Sequence, residues 1–180
     1  LGWLSMILVL VTVAVGFYNV VARYFGRFAG VQLSSNVFIE TQWYLYSMVF
    51  FLGLAYIMKN GIIGRVDFLY AQWAKARQAA IDFWGHLFFV VPFCILGIYV
   101  SVNPVLTSWG RLPNGTWSTW ELSPDPSGLP RAPIKTMIIV AFTMLLLQTI
   151  AELIKLYPVM RGTQAIVEEP VVEEAPLRIE

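Results

Sequence analysis

Four stretches of this chain are apolar over lengths that suit a lipid bilayer. From Leu1 to Ala22 there is no charged residue, and Leu, Val and Ile dominate. Thr41 to Met58 and Phe83 to Gly110 are likewise uncharged, and Ile134 to Leu156 carries charge only near its ends, at Lys135, Glu152 and Lys155. About 20 apolar residues in a helix cross the roughly 30 Å of a bilayer's hydrocarbon. Lipid offers no hydrogen bonds to the backbone, so such runs must satisfy themselves as helices. The pattern predicts an all-α integral membrane protein with four transmembrane helices over about 1–22, 41–58, 83–104 and 134–156. Together they form one membrane domain over 1–158.

The segments between these runs set their edges. Arg23 and Arg27 follow the first, within reach of lipid headgroups; Glu40, Trp43, Tyr44 and Tyr46 open the second, and Lys59-Asn60-Gly61 closes it with a turn. Tyr and Trp grouped at a span end mark a water–lipid boundary. Between spans two and three, residues 66–81 have helical periodicity. Val66, Leu69, Tyr70, Trp73, Ala80 and Ile81 share one face and Asp67, Gln72, Lys75 and Gln78 the other, with Phe68 and Arg77 out of pattern. This predicts an amphipathic helix lying in the membrane surface, or a loop helix packed on the spans. Pro92 falls inside the third span, where it removes a backbone donor, so a kink is expected around 88–92. The long polar loop, 111–133, holds five prolines, which exclude regular structure through most of it. Beyond Pro158 the chain turns rich in Glu, Val and Pro, and 159–180 reads as a disordered acidic tail.

Composition narrows the classes of function. Charged residues make up 13% of the 180, too few to clothe a soluble domain, and a net charge of +1 gives no basic face for nucleic acid. His86 is the single histidine and Cys94 the single cysteine. A haem held between two histidines, a dithiol exchange centre and a zinc site of ordinary spacing therefore have no ligand set, and there is no Gly-rich phosphate loop. Neither a catalytic residue nor a cofactor or metal site is expected. His86, near the start of span three, reads as a locally hydrogen-bonded side chain, with axial ligation or proton relay as the alternative. With four spans both termini share a side with the 59–82 segment. That side carries seven Lys and Arg against five on the other, which places both termini in the cytoplasm.

Polar groups at the span ends are the candidates for partner contact or anchoring: Arg23, Glu40, Gln42, Trp43, Arg65, Asp67, Asp82, Arg131, Lys135, Gln148 and Glu152. Glu40 could pair with Arg23 or Arg27. Gln148, Glu152 and Lys155 share one face of span four, where polar contacts can hold a neighbouring helix, in this chain or another. No span has polar residues gathered near its midpoint, and no internal repeat is visible. Carriers that move solute alone use both, so this chain is expected to work within a larger assembly.

Several stretches, taken in order, resemble a known family. They are Asn19-Val-Val-Ala-Arg-Tyr24, Glu40-Thr-Gln-Trp-Tyr-Leu45, Phe51-Leu-Gly-Leu-Ala-Tyr56, Arg65-Val-Asp67, Ile81-Asp82 and Phe89-Val-Val-Pro92. Glu121-Leu-Ser-Pro124, Gly128-Leu-Pro130, Pro133-Ile-Lys135, Leu147-Gln148 and Ala151-Glu-Leu-Ile-Lys155 follow. From about Trp3 to Leu156 the chain resembles the small membrane subunit of TRAP (tripartite ATP-independent periplasmic) transporters. The resemblance implies a scaffold role beside a large permease subunit that carries the solute and ion sites. It also implies a periplasmic solute-binding protein delivering an organic acid or similar solute, a bacterial inner-membrane location, and a periplasmic 111–133 loop. Span two and the polar face of span four would meet the permease. One departure is Ile63-Gly-Arg-Val-Asp67, where the family usually has His-Val-Arg-Val-Asp. With the Trp117 and Trp120 loop, it leaves an alternative: a related chain recruited as a structural subunit of another membrane complex, photosynthetic or respiratory.

Overall fold

The computed structural model describes residues 2–61 and 73–162. Helices account for most of it: α1 (Gly2–Ala29), α2 (Asn36–Lys59), α3 (Lys75–Gly85), a π-helical turn (His86–Val90), α4 (Val91–Ser108) and α5 (Ala132–Met160). α3, the π turn and α4 join into one 34-residue helix, so the described residues hold four helices long and apolar enough to cross a membrane. The single β feature among the described residues is an isolated bridge between Arg111 and Trp117.

Local chemistry explains where the helices stop. α1 ends at Gly30, whose φ of 68° lies in the left-handed region that glycine enters without penalty. The next amide, Val31 N–H, then donates back to the Gly26 carbonyl at 3.0 Å, closing one of the helix's open acceptors. A side chain at Gly26 would run into that returning backbone. α4 ends the same way. Gly110 has φ 98°, its N–H donates to Thr107 at 2.9 Å, and the Arg111 N–H donates to Leu106 at 3.0 Å.

The 34-residue helix is about 51 Å long at 1.5 Å per residue, well beyond the roughly 30 Å of hydrocarbon. Its first turns therefore project past the apolar region, in keeping with Lys75, Arg77, Gln78 and Asp82 there. The helix predicted over 66–81 lies partly outside the described residues. From Lys75 onward its residues are the opening turns of the same helix that becomes span three. The π turn ends two residues before Pro92, whose missing N–H and ring disturb the regular bonding pattern of the preceding turn. At its start, His86 Nδ1–H donates to the Asp82 carbonyl at 2.6 Å, the local bond expected of a histidine near a span end. The tail predicted over 159–180 begins later than expected, since α5 runs on to Met160; from 163 onward it lies outside the described residues.

Among the described residues the extensive helix interfaces run in series. α1 packs on α2, α2 on α5, and α5 on the α3–α4 helix. The four spans thus form a row with α5 internal, not a closed bundle in which α1 would also meet α3–α4. α2 and α5 run in parallel: Tyr44 near the start of α2 reaches Pro130 just before α5, while Met58 near its end touches Thr149. Small side chains make these contacts close. Ala55, Ala79, Cys94 and Ala141 are buried, Gly97 lies under the Phe142 ring, and the Gln42 amide lies over the bare backbone of Gly16.

Candidate functional site

Polar contacts between separate elements gather at one end of the row, where segment 109–131 folds back over the starts of α2 and α5. Glu40 is the centre of one half. It sits in the second turn of α2, is 2% exposed, and its two carboxyl oxygens accept hydrogen bonds from the Ser123 hydroxyl and the Leu129 backbone N–H. Nearby, Tyr44 donates its hydroxyl to the Pro130 carbonyl at 3.2 Å, and the Asn36 amide donates to the Pro126 carbonyl at 3.1 Å. Three side chains spaced at helical intervals on α2 thus hold residues 123–130 across the row. Gly128 fits against Glu40 because it has no side chain; a Cβ there would meet Glu40 Oε1 at 2.8 Å.

Glu121 is the centre of the other half. One carboxyl oxygen accepts from the Ser108 hydroxyl at 2.5 Å and from the Lys135 ammonium. Its backbone pairs too: Glu121 N–H donates to the Ser108 carbonyl and Arg131 N–H to the Glu121 carbonyl, each at 2.9 Å. The Lys135 and Ser108 hydrogen bonds hold the Glu121 carboxyl below the usual carboxylate range; partial burial opposes them, and the Lys135 and Arg131 charges add to them. Trp109 ties the end of α4 to α5 by donating its indole N–H to Thr136 at 2.8 Å, and Trp120 stands edge-on to the Trp109 ring at 4.7 Å. Outside this packed layer, Trp117 and Leu122 remain exposed at 64% and 69%.

Of the residues expected from sequence, the structure brings Glu40, Arg131 and Lys135 together here. Glu40 does not pair with Arg23 or Arg27. Those arginines lie on the exposed end of α1, while Glu40's bonds go to the 123–129 segment. Gln42 packs on α1, and the half-exposed Trp43 contacts Tyr44 edge-on at 4.5 Å. Gln148 and Glu152 lie at the opposite end of α5, where Glu152 accepts from Gln148 at 2.9 Å and from Lys155 at 3.3 Å, so that stripe satisfies itself along its own helix. Asp82 is in the projecting turns of α3, and Arg65 and Asp67 lie outside the described residues. Sequence reasoning passed over Glu121, Ser108 and Ser123 as site residues. A signal existed for Glu121: it is an acid following Trp117 and Trp120 in a proline-rich loop whose far end carries the cations Arg131 and Lys135.

A family model matches this chain over residues 12–158: the tripartite ATP-independent periplasmic transporters, DctQ component. The chain belongs to this family. Neither a curated protein nor a solved structure matches it. The DctQ family is the small membrane subunit of TRAP transporters, a transporter-subunit family and not an enzyme family, and it works with a large permease and a solute-binding protein. This DctQ chain is accordingly a multi-pass membrane protein and the small membrane component of such a transporter. The matched stretch contains the whole 109–131 cover together with Glu40, Glu121, Arg131 and Lys135.

Proposed function

We propose that this subunit is a stationary scaffold which carries no solute and supports uptake of an organic acid or similar solute by the large permease. The observation that carries the reading is the distribution of polarity along the row. Charged side chains of the spans fall near their ends, and the deeper buried polar group, Thr149, is bonded to its own helix at the Leu145 carbonyl, 2.7 Å away. Carriers place polar sites at the midplane on broken helices; a row with an apolar middle offers surface for a partner helix instead.

The 109–131 cover faces the periplasm in this proposal, with both termini cytoplasmic, following the seven-to-five excess of Lys and Arg on the terminal side. The cover then presents Trp117 and Leu122 toward the solute-binding protein, and one face of the helix row lies against the permease. The test is uptake into proteoliposomes holding permease and binding protein, with and without this chain. Uptake should need the chain, while vesicles with this chain alone should accumulate nothing. Solute accumulation by the chain alone, or full uptake in its absence, overturns the scaffold reading.

A further inference from the structure

A second polar feature lies beside the 109–131 cover, and its two arginines take no part in holding that cover. At the end of α1, Arg23 and Arg27 stand one helical turn apart, both exposed and without a hydrogen-bond or ion-pair partner among the described residues. Both line an open cavity of about 810 Å³ between α1, the 30–35 turn, the start of α2 and Ser127 of the long loop. No Asp or Glu lines it. The turn that walls it is held in place: Ser34 donates its hydroxyl to the buried Asn19 amide oxygen at 2.7 Å, and Val31 is bonded back to Gly26. The first turn of α2 opens into the same space with no acidic residue and no side-chain cap on its amides, so its positive end adds to the field there.

The surroundings identify the depth. Arg23 is the first charge after 22 uncharged residues, so it sits where hydrocarbon ends. Tyr24 beside it is exposed at 63%, a ring with a polar edge of the kind found at headgroup level, and the exposed Phe25 and Phe28, at 67% and 88%, offer apolar surface to lipid. We infer that this cavity binds the phosphate of an anionic phospholipid, with Arg23 and Arg27 as the two cationic ligands. A guanidinium matches the paired oxygens of a phosphodiester. A zwitterionic headgroup would bring an ammonium into a cavity that already holds two cations and no carboxylate, so a phosphatidylglycerol-type lipid is favoured over a phosphatidylethanolamine-type one.

The experiment uses the full chain in nanodiscs of equimolar phosphatidylglycerol and phosphatidylethanolamine, with retained lipid counted by native mass spectrometry after release. The intact chain should keep one phosphatidylglycerol in preference to phosphatidylethanolamine by about tenfold or more. The R23Q/R27Q double variant should lose that preference. R23K/R27K, which keeps the charge without the planar fork, should keep part of it. A K59Q/R77Q variant, neutralised at the opposite end, should retain it in full. Thermal unfolding establishes that each variant is folded, which is expected because neither arginine side chain is buried. Equal retention of the two lipids, no change in R23Q/R27Q, or loss of the preference in K59Q/R77Q overturns the proposal. Displacement of the lipid by millimolar inorganic phosphate overturns the lipid assignment in favour of a soluble anion. The measurement needs no transport partner, so its outcome is independent of the scaffold reading.

Discussion

Replacing Glu40 with alanine leaves the Leu129 N–H, on the half-buried inner side of the cover, with no acceptor, while the Ser123 hydroxyl loses one too but can rotate. A buried donor left unsatisfied costs about 1–3 kcal/mol, and a lost ordinary hydrogen bond about 0.5–1.5. Together they weaken closure of the cover by roughly 2–4 kcal/mol, about a 30- to 1,000-fold rise in its open population. Trypsin reads this directly. Cleavage after Arg131, which is half-buried and bonded through its N–H to Glu121, requires the segment to lift. At low protease the rate follows the open population. Glu40→Ala should speed that cleavage by at least about 30-fold in detergent or nanodiscs. Glu40→Gln keeps one acceptor and should fall between it and the parent. Gly128→Ala, which crowds Ser123 and Glu40 without removing a bond, should move in the same direction. A cleavage rate in Glu40→Ala within about threefold of the parent, less than 1 kcal/mol, would refute the claim that this carboxyl holds the cover.

Three further outcomes follow from other contacts. Because Glu121's carboxyl is held low, its contribution to closing the cover is fully present above the unfolded glutamate value of about 4.3 and fades as pH falls through the lower folded value. Opening of the cover, measured by an acid-active protease cutting within residues 109–131 or by quenched hydrogen exchange, should accelerate below about pH 4, and less so in Glu121→Gln. A Cβ at Gly97 would come within 2.7 Å of the Phe142 ring, so Gly97→Val should destabilise by about 1–3 kcal/mol in detergent unfolding, relieved in part by adding Phe142→Ala. Glu152→Gln breaks a partly exposed pair with Lys155 and should change stability by no more than about 1 kcal/mol; copurification of the permease then reports whether this face of α5 is a contact.

The four spans were legible because crossing a bilayer depends on length and apolarity alone, which residues 1–22 or 134–156 display without reference to any neighbour. Pro92 likewise announced a disturbance, since the loss of an N–H is a property of the residue itself. Glu40 was legible as a polar group at a span end, but its partners were not. They lie 83 and 89 positions away, and the nearer arginines looked equally suitable by charge. Which of them a carboxyl meets depends on how the helices are ordered in space, and no single residue encodes that. The same holds for Glu121, whose partners Ser108 and Lys135 lie 13 and 14 positions off on opposite sides, on different helices. The serial order of the helices was also invisible, because apolar spans in lipid gain nothing from apolarity itself when choosing neighbours.

That serial order bears on what such a component can contribute to a machine. A wall one helix thick has two broad sides and no lumen, so cargo can travel along it but finds no interior to enter. It also separates what touches each side: a moving neighbour on one side and lipid on the other would never compete for the same residues. Stiffness across such a wall must come from its rim, and the carboxyl-centred clasps over one edge tie second, third and fourth spans there while leaving the first attached through its single neighbour.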